Sequence, residues 1–249
     1  MPVLPASVRV ALWASSALNG VTDLESAADK ALPDMDDVSG LREPLATWRD
    51  VGERVVLVAL PRPGRAGGMP SAPAATTAAA AGAEEAVFVP GLGGALVPEI
   101  SAYGPADDEG WQVQWSLHPA DPMPAHVLQA LDVADAELRL RQLLARVTDD
   151  LEIGPGAPMA RAATEIFARR RIKDHWGMPP DMPSRPARII ELAGSVVALA
   201  DIGLSESLQS VDASNTLRRE TLLRELQNEG LDALTDATNV AAVHYARWL

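Results

Sequence analysis

Residues 54–70 read RVVLVAL followed by PRPGRAGGMP, and the fold class turns on this stretch. Arg54–Leu60 is a continuous, largely β-branched apolar run. Without polar residues alternating through it, it fits a strand covered on both faces, as in a parallel sheet. Pro61 and Pro63 mark its end, and the Pro/Gly-rich residues behind it are loop. Upstream, Ser7–Trp13 alternates: Val8, Val10 and Leu12 on one side, Ser7, Arg9 and Ala11 on the other. That is the pattern of a half-buried strand. Between these two strands the sequence predicts a turn at Asn19-Gly20, a helix within Thr22–Ala31, a break at Pro33 and an acidic loop, Asp34–Asp37. A second helix within Ser39–Val51 starts near Pro44.

Downstream of the loop, Pro73–Ala83 suits a short Ala-rich crossover helix or a mobile excursion, because its apolar face is weak. Ala86–Pro90 reads as a short strand and Gly91–Gly94 as a tight turn. Ala95–Tyr103 reads as a strand placed at an edge by Pro98. Gly104–Gly110 has turn chemistry. In Trp111–Leu117 the residues Trp111, Val113, Trp115 and Leu117 share one face, with Gln112, Gln114 and Ser116 on the other.

From Ala120 the period becomes helical. Asp121-Pro122 reads as an N-cap followed by proline at the first helical position, opening a helix to about Glu152 with two apolar stripes. Gly154-Pro155-Gly156 breaks it. Further helices are predicted over Pro158–Trp176, from Ser184 to about Gly203, and from about Asp212 to Leu249 with a bend or break at Gly230. The expected architecture is α/β or α+β. A small mixed sheet of about five strands with crossover helices (residues 1–119) packs against a C-terminal helical bundle (residues 120–249) as one compact unit.

The chain has 249 residues, of which 47% are hydrophobic and 22% charged, with a formal charge of −13 and no cysteine. That apolar fraction excludes a disordered chain, and the length suffices for a substantial core. The absence of cysteine excludes disulfides, thiolate zinc sites and cysteine nucleophiles. The acidic balance disfavours nucleic acid and anionic membranes, which need a basic surface. The most apolar stretch, Leu192–Ala200, is about half a membrane span, and the N-terminal residues lack the basic region of a signal peptide. The expectation is a cytoplasmic protein with no membrane partner.

Reactive constellations are weak. Arg62, Arg65, Gly67 and Gly68 follow a buried strand, where backbone amides and guanidinium groups can hold a phosphate or carboxylate; the competing reading is a solvated loop. Arg218 and Arg219 could add to an acidic-ligand pocket, or be neutralised by Asp212, Glu220 and Glu225. His118, Asp121 and His126 could in principle bind zinc, but three intervening prolines and the spacing match no metal signature, so no metal site and no cofactor are expected. His244 reads as a packed, hydrogen-bonded histidine. Ser195 lies inside an apolar helix without a nucleophile elbow, and reads as a serine bonding back along that helix. Arg169–Lys173 sits where cations favour a helix C-terminus.

The segments SNTLRRETLLREL (214–226) and TDATNVAAVHYARWL (235–249) resemble alanine-rich proteins of high-GC actinobacteria. That resemblance implies no activity and transfers no site. The function expected from the sequence is a non-enzymatic interaction or assembly module, self-associating or bound to a protein partner. The alternative is an enzyme or binder of a small anionic molecule that uses the Gly/Arg loop 61–70.

Overall fold

The computed structural model describes residues 4–105, 109–152, 177–207 and 213–246. The chain opens on helix α1 (Ala6–Leu18), which corrects the strand expected over Ser7–Trp13. The alternation of residue types is there, but it carries no information about facing. Every residue from Ala6 to Ala17 is buried, including Ser7 and Arg9 at 0% and 3% exposure. A helix enclosed on all sides has no polar stripe to betray its period. Arg9 is tolerated because its donors are filled. Nε gives to the Leu4 carbonyl (3.1 Å), Nη1 to that of Ala31 (3.0 Å), and both terminal nitrogens to Asp34.

Helix α2 (Leu24–Ala31) is capped by Asp23, whose carboxylate accepts from the Ser26 amide at 2.9 Å; this lowers the Asp23 pKa. Strand β1 (Asp37–Ser39) and helix α3 (Arg42–Asp50) follow, then β2 (Leu57–Ala59), α4 (Ala74–Ala83), β3 (Ala86–Phe88), β4 (Ala95–Tyr103) and β5 (Gly110–His118). Among the described residues the sheet has five strands, in the order β1-β5-β4-β3-β2. It is mixed as expected, but the first expected strand has become a helix and its place is taken by β1, paired in parallel with β5. The other neighbours are antiparallel. The run Arg54–Leu60 is therefore not in the parallel setting expected: β2 pairs antiparallel with β3 and lies at one edge of the sheet. β4 lies inside the sheet, yet Pro98 fits there because pairing with β3 ends at Leu96. At Pro98 no partner remains on that side to miss the absent N–H.

The chain then corrects the helix expected from Asp121-Pro122. Residues 121–124 stay non-helical and are tied to the sheet region: Asp121 N–H gives to the Ser71 carbonyl and Met123 N–H to that of Pro90. Helix α5 (Ala125–Gln129) starts only after Pro124, and α6 (Val133–Glu152) restarts with Asp132 accepting from the Ala134 amide at 2.9 Å. Helices α7 (Ser184–Ser207) and α8 (Ala213–Tyr245) form the most extensive helix pair among the described residues. The helix expected over Pro158–Trp176 lies outside the described residues. α8 runs unbroken through Gly230, against the expected break. A Cβ at Gly230 would lie 2.8 Å from Val197 Cγ2 and 3.5 Å from the Ala193 carbonyl oxygen. The glycine serves close helix approach.

One apolar cluster joins Val56, Val58, Leu60, Val87, Leu96, Val113 and Trp115 of the sheet region to α1–α3 and to Leu140, Ile190 and Leu234 of the later helices. A second cluster covers the opposite face of β2 and β3, where Leu57, Ala59 and Phe88 meet Leu128, Ala242 and Val243. Helix α8 contributes to both clusters because it passes across the β2 edge.

That edge is closed residue by residue. The Arg54 carbonyl accepts from Asn19 (2.7 Å). Val56 gives its N–H to Ser15 Oγ (2.9 Å) and takes that hydroxyl on its carbonyl (3.1 Å). Val58 gives to Asn239 Oδ1 (2.8 Å) and accepts from Asn239 Nδ2 (3.0 Å). Leu60 gives to the Gly67 carbonyl (2.8 Å) and accepts from Arg62 Nη1 (3.1 Å). Side chains and one loop thus do the work of a sixth strand, which is how a strand at a sheet edge can be wholly buried.

Candidate functional site

The Gly/Arg loop is built on this edge. Arg62 and Arg65 exchange backbone hydrogen bonds of 3.0 and 2.9 Å across Pro63-Gly64, making a tight two-residue turn. The turn aims both guanidinium groups at α8. Arg62 Nε gives to Asn228 Oδ1 (2.6 Å), and Nη2 gives to the Asn228 carbonyl (2.8 Å) and to Asp232 Oδ1 (2.5 Å). Arg65 Nη1 takes the other oxygen of Asp232 (2.5 Å) and reaches Glu229 at 3.5 Å. Arg139 of α6 approaches Glu229 (3.4 Å) and Asp236 (4.0 Å). The two halves of the network differ in weight. The Arg62 side chain is 8% exposed, so removing either partner strands a buried charge; Arg65, at 42%, is screened by solvent.

Of the residues singled out in the sequence, Arg62, Arg65, Gly67 and Gly68 converge here. Gly67 (φ +56°) leaves no room for a Cβ against the Leu60 carbonyl, and at Gly68 (φ +86°) a Cβ would lie 3.0 Å from Thr235 Cγ2. Both glycines therefore have packing reasons to be glycine. The side chains of Arg218 and Arg219 in α8 lie outside the described residues, as does the basic run 169–173.

Asp236 sits at the end of this network. Burial pushes its carboxyl up to about 6, against the opposing pull of Arg139, with Asp232 adding repulsion. The folded-state pKa is thus above the unfolded value, so this group favours the fold fully below about pH 4 and loses that contribution as pH rises through 6. Asp236→Asn is expected to raise the thermal midpoint at pH 7–8 and to leave it nearly unchanged at pH 4. Thermal melts of the two proteins across that range check the sign.

A second concave feature lies between α4 and the β4–β5 pair: a hollow of about 440 Å³ lined by residues that include Glu85, Glu99, Ser116 and His118. Glu85 was not singled out in the sequence. It follows Glu84, whose left-handed backbone (φ +59°) ends α4, and its Oε2 accepts from the Ser7 amide at 2.7 Å, capping α1. Burial pushes the Glu85 carboxyl up from the usual range, opposed by the Ser7 hydrogen bonds and by Arg9. Glu53, also missed, is buried and accepts from the Leu92 amide, fixing the Gly91–Gly94 turn.

The other candidates are placed as follows. Asp121 is hydrogen-bonded by Ser71 Oγ (2.7 Å), and among the described residues no group of three His, Asp or Glu side chains is arranged to hold a metal ion. His244, expected to be packed, is exposed. Ser195 Oγ bonds back to the Glu191 carbonyl at 2.8 Å, as its helical setting predicted. Asp34 of the first acidic loop is the partner of Arg9.

No curated protein and no solved structure matches the chain. Among the described residues, no helix is long and apolar enough to cross a membrane. Two family models do match, described as the N-terminal domain (residues 7–130) and the C-terminal domain (residues 125–235) of Rv1486c-like protein. They overlap at α5, and between them they take in nearly all of the fold described above, so the chain belongs to the Rv1486c-like family.

Proposed function

We propose that this protein is a non-enzymatic interaction or assembly module that engages another protein chain, its own or a partner's, through the exposed apolar side chains Ile100, Tyr103 and Trp111 of the β4–β5 hairpin. The observation that carries this reading is the exposure of large apolar residues there. Trp111 is 46% exposed, Tyr103 44% and Ile100 38%, although Val113 and Trp115 on the same strand are buried. Register places Ile100 opposite Val113 and Ala102 opposite Trp111, so Ile100 and Trp111 are diagonal neighbours on one face. Trp and Tyr are the residue types that most often anchor protein interfaces. The internal pairing of Arg62 and Arg65 also supports this reading over an anion site in loop 61–70, because an incoming anion would have to displace Asp232.

Trp111 makes its described hydrogen bonds through the backbone, with Asp36, so Trp111→Ser leaves the core intact. Light scattering over a micromolar concentration series, together with capture on the immobilised protein, tests the proposal. The wild type is expected to self-associate or to retain a partner, and Trp111→Ser to weaken that association by roughly 30-fold. A wild type that is monomeric throughout and retains nothing the variant does not would contradict it.

A further inference from the structure

Beyond Leu96 the outer side of β4 has no neighbouring strand. β4 pairs with β5 at every residue from Ala95 to Tyr103, but with β3 only at Ala95 and Leu96. The chain enters β3 from α4 through Glu84, whose left-handed backbone turns it away, so among the described residues no strand continues that ladder. The direction of each backbone group follows from β5. Trp111 gives its N–H to Asp36 Oδ2 and accepts from the Asp36 amide, both at 2.8 Å, on the β1 side. Groups alternate along an antiparallel ladder, so Trp111 and Val113 turn away from β4, and the residues opposite them, Ala102 and Ile100, turn away from β5. The N–H and C=O groups of Ile100 and Ala102 thus point outward, and among the described residues none of the four has a partner. Such an edge is a template for a further strand. The hollow beside it leaves room: Val97–Ile100, from both faces of β4, line one side, and the small residues Ala79, Gly82 and Ala83 of α4 line another.

We propose that an extended, basic segment of a partner protein adds here as a strand antiparallel to β4 and collinear with β3. This rests on the hairpin reading above and names the partner's chemistry. Strand alternation sets the occupant's pattern. On one face it meets Ile100 and Ala102, with Trp111 behind them, which suits apolar side chains; on the other it meets Glu99 and Ser101, which suits lysine or arginine. A second copy would bring its own Glu99 and a net charge of −13 to the same edge, so charge complementarity favours a basic partner.

Fluorescence anisotropy tests this with a labelled peptide of about nine residues alternating lysine and valine, and a counterpart alternating glutamate and valine. The proteins are wild type, Ala102→Pro and Glu99→Lys. Ala102→Pro removes one outward donor and keeps the β5 ladder and the side chains of Ile100, Tyr103 and Trp111. The expected result is saturable binding of the basic peptide to the wild type with a Kd below about 100 μM. Ala102→Pro weakens it at least about tenfold and Glu99→Lys about fivefold, and the acidic peptide does not saturate. Absence of saturable binding of the basic peptide to the wild type overturns the proposal. So does binding unchanged in Ala102→Pro, or unchanged in Glu99→Lys should Ala102→Pro fail to fold. Association in light scattering or capture that persists in Ala102→Pro but is lost in Trp111→Ser leaves the hairpin reading standing and sinks strand addition alone. Self-association lost in Ala102→Pro, with no peptide bound by the wild type, gives the edge to a second copy and overturns the basic partner.

Discussion

Asn239→Leu is expected to destabilise the fold by about 2–4 kcal/mol, although the leucine side chain has the same number and branching of heavy atoms as asparagine and the site is buried among apolar neighbours. Asn239 is 5% exposed and spends both ends of its amide on one residue of the edge strand, Val58. Leucine would remove both partners and leave a buried N–H and a buried C=O unpaired, each worth about 1–3 kcal/mol of desolvation. Asn239→Asp is expected to fail as well, for a different reason. A carboxylate can accept from the Val58 amide but faces the Val58 carbonyl with no proton to give. Urea denaturation of the two variants checks both; a loss under about 0.5 kcal/mol for Asn239→Leu would show that water replaces the amide.

Gly67→Ala carries the second large effect, expected at about 2–4 kcal/mol. Gly67 has φ +56°, and its missing side chain would overlap the backbone carbonyl of Leu60, whose own amide is held by the Gly67 carbonyl. Neither group can move without opening the end of the β2 edge. Gly64 provides the internal comparison. It has φ +78° but open space around it, so Gly64→Ala should lose only the left-handed penalty of about 1–2 kcal/mol. The difference between the two variants isolates the backbone contact. Equal losses would mean that the loop is held by conformation alone and does not lean on the strand.

Both effects concern the same piece of sequence, and they show what was legible there. RVVLVAL announced a strand buried on both faces, and β2 is that strand. Its position at an edge could not be read, because the groups that close the edge lie far away in the chain: Ser15 in α1, Asn19 at its C-terminal cap, Asn239 in α8. Polar side chains inside helices read as local features until the strand they serve is placed beside them. The same blindness explains α1. Arg9 looked like the solvent side of a strand because its partner, Asp34, is 25 residues away, and Ser7 because nothing local shows that Glu85, 78 residues on, takes its backbone amide at the start of a helix. Prolines were informative as breaks and uneven as starts: Pro44 lies in the first turn of α3 as expected, and Pro122 misled. Pro98 did mark loss of pairing on one side of β4, whereas Pro122 followed a residue held in a loop by Ser71 rather than capping a helix.

In the candidate site, the proximity of Arg62 and Arg65 to the end of a buried strand was readable from the loop alone. That Asp232 and Asn228 wait opposite them was not, since it depends on how α8 crosses the sheet. Gly230 shows the limit from the other side. A glycine in a long helical pattern suggested a break, and close packing on Val197 gave it another use. The exposed hairpin residues Ile100 and Trp111 were correctly placed in strands, but strand alternation cannot say where the covering helices stop.

The account rests most heavily on the closure of β2 by α1, α8 and the Gly/Arg loop. Native-state hydrogen exchange of the Val56, Val58 and Leu60 amides tests it directly. These three donors lie on the outer side of an edge strand and are held by Ser15, Asn239 and Gly67. The account expects them to exchange only on global unfolding, as slowly as the amides of the β3–β4 ladder, with Val58 accelerated in Asn239→Leu. Fast exchange at these positions in the wild type, of the kind a frayed open edge gives, would contradict it.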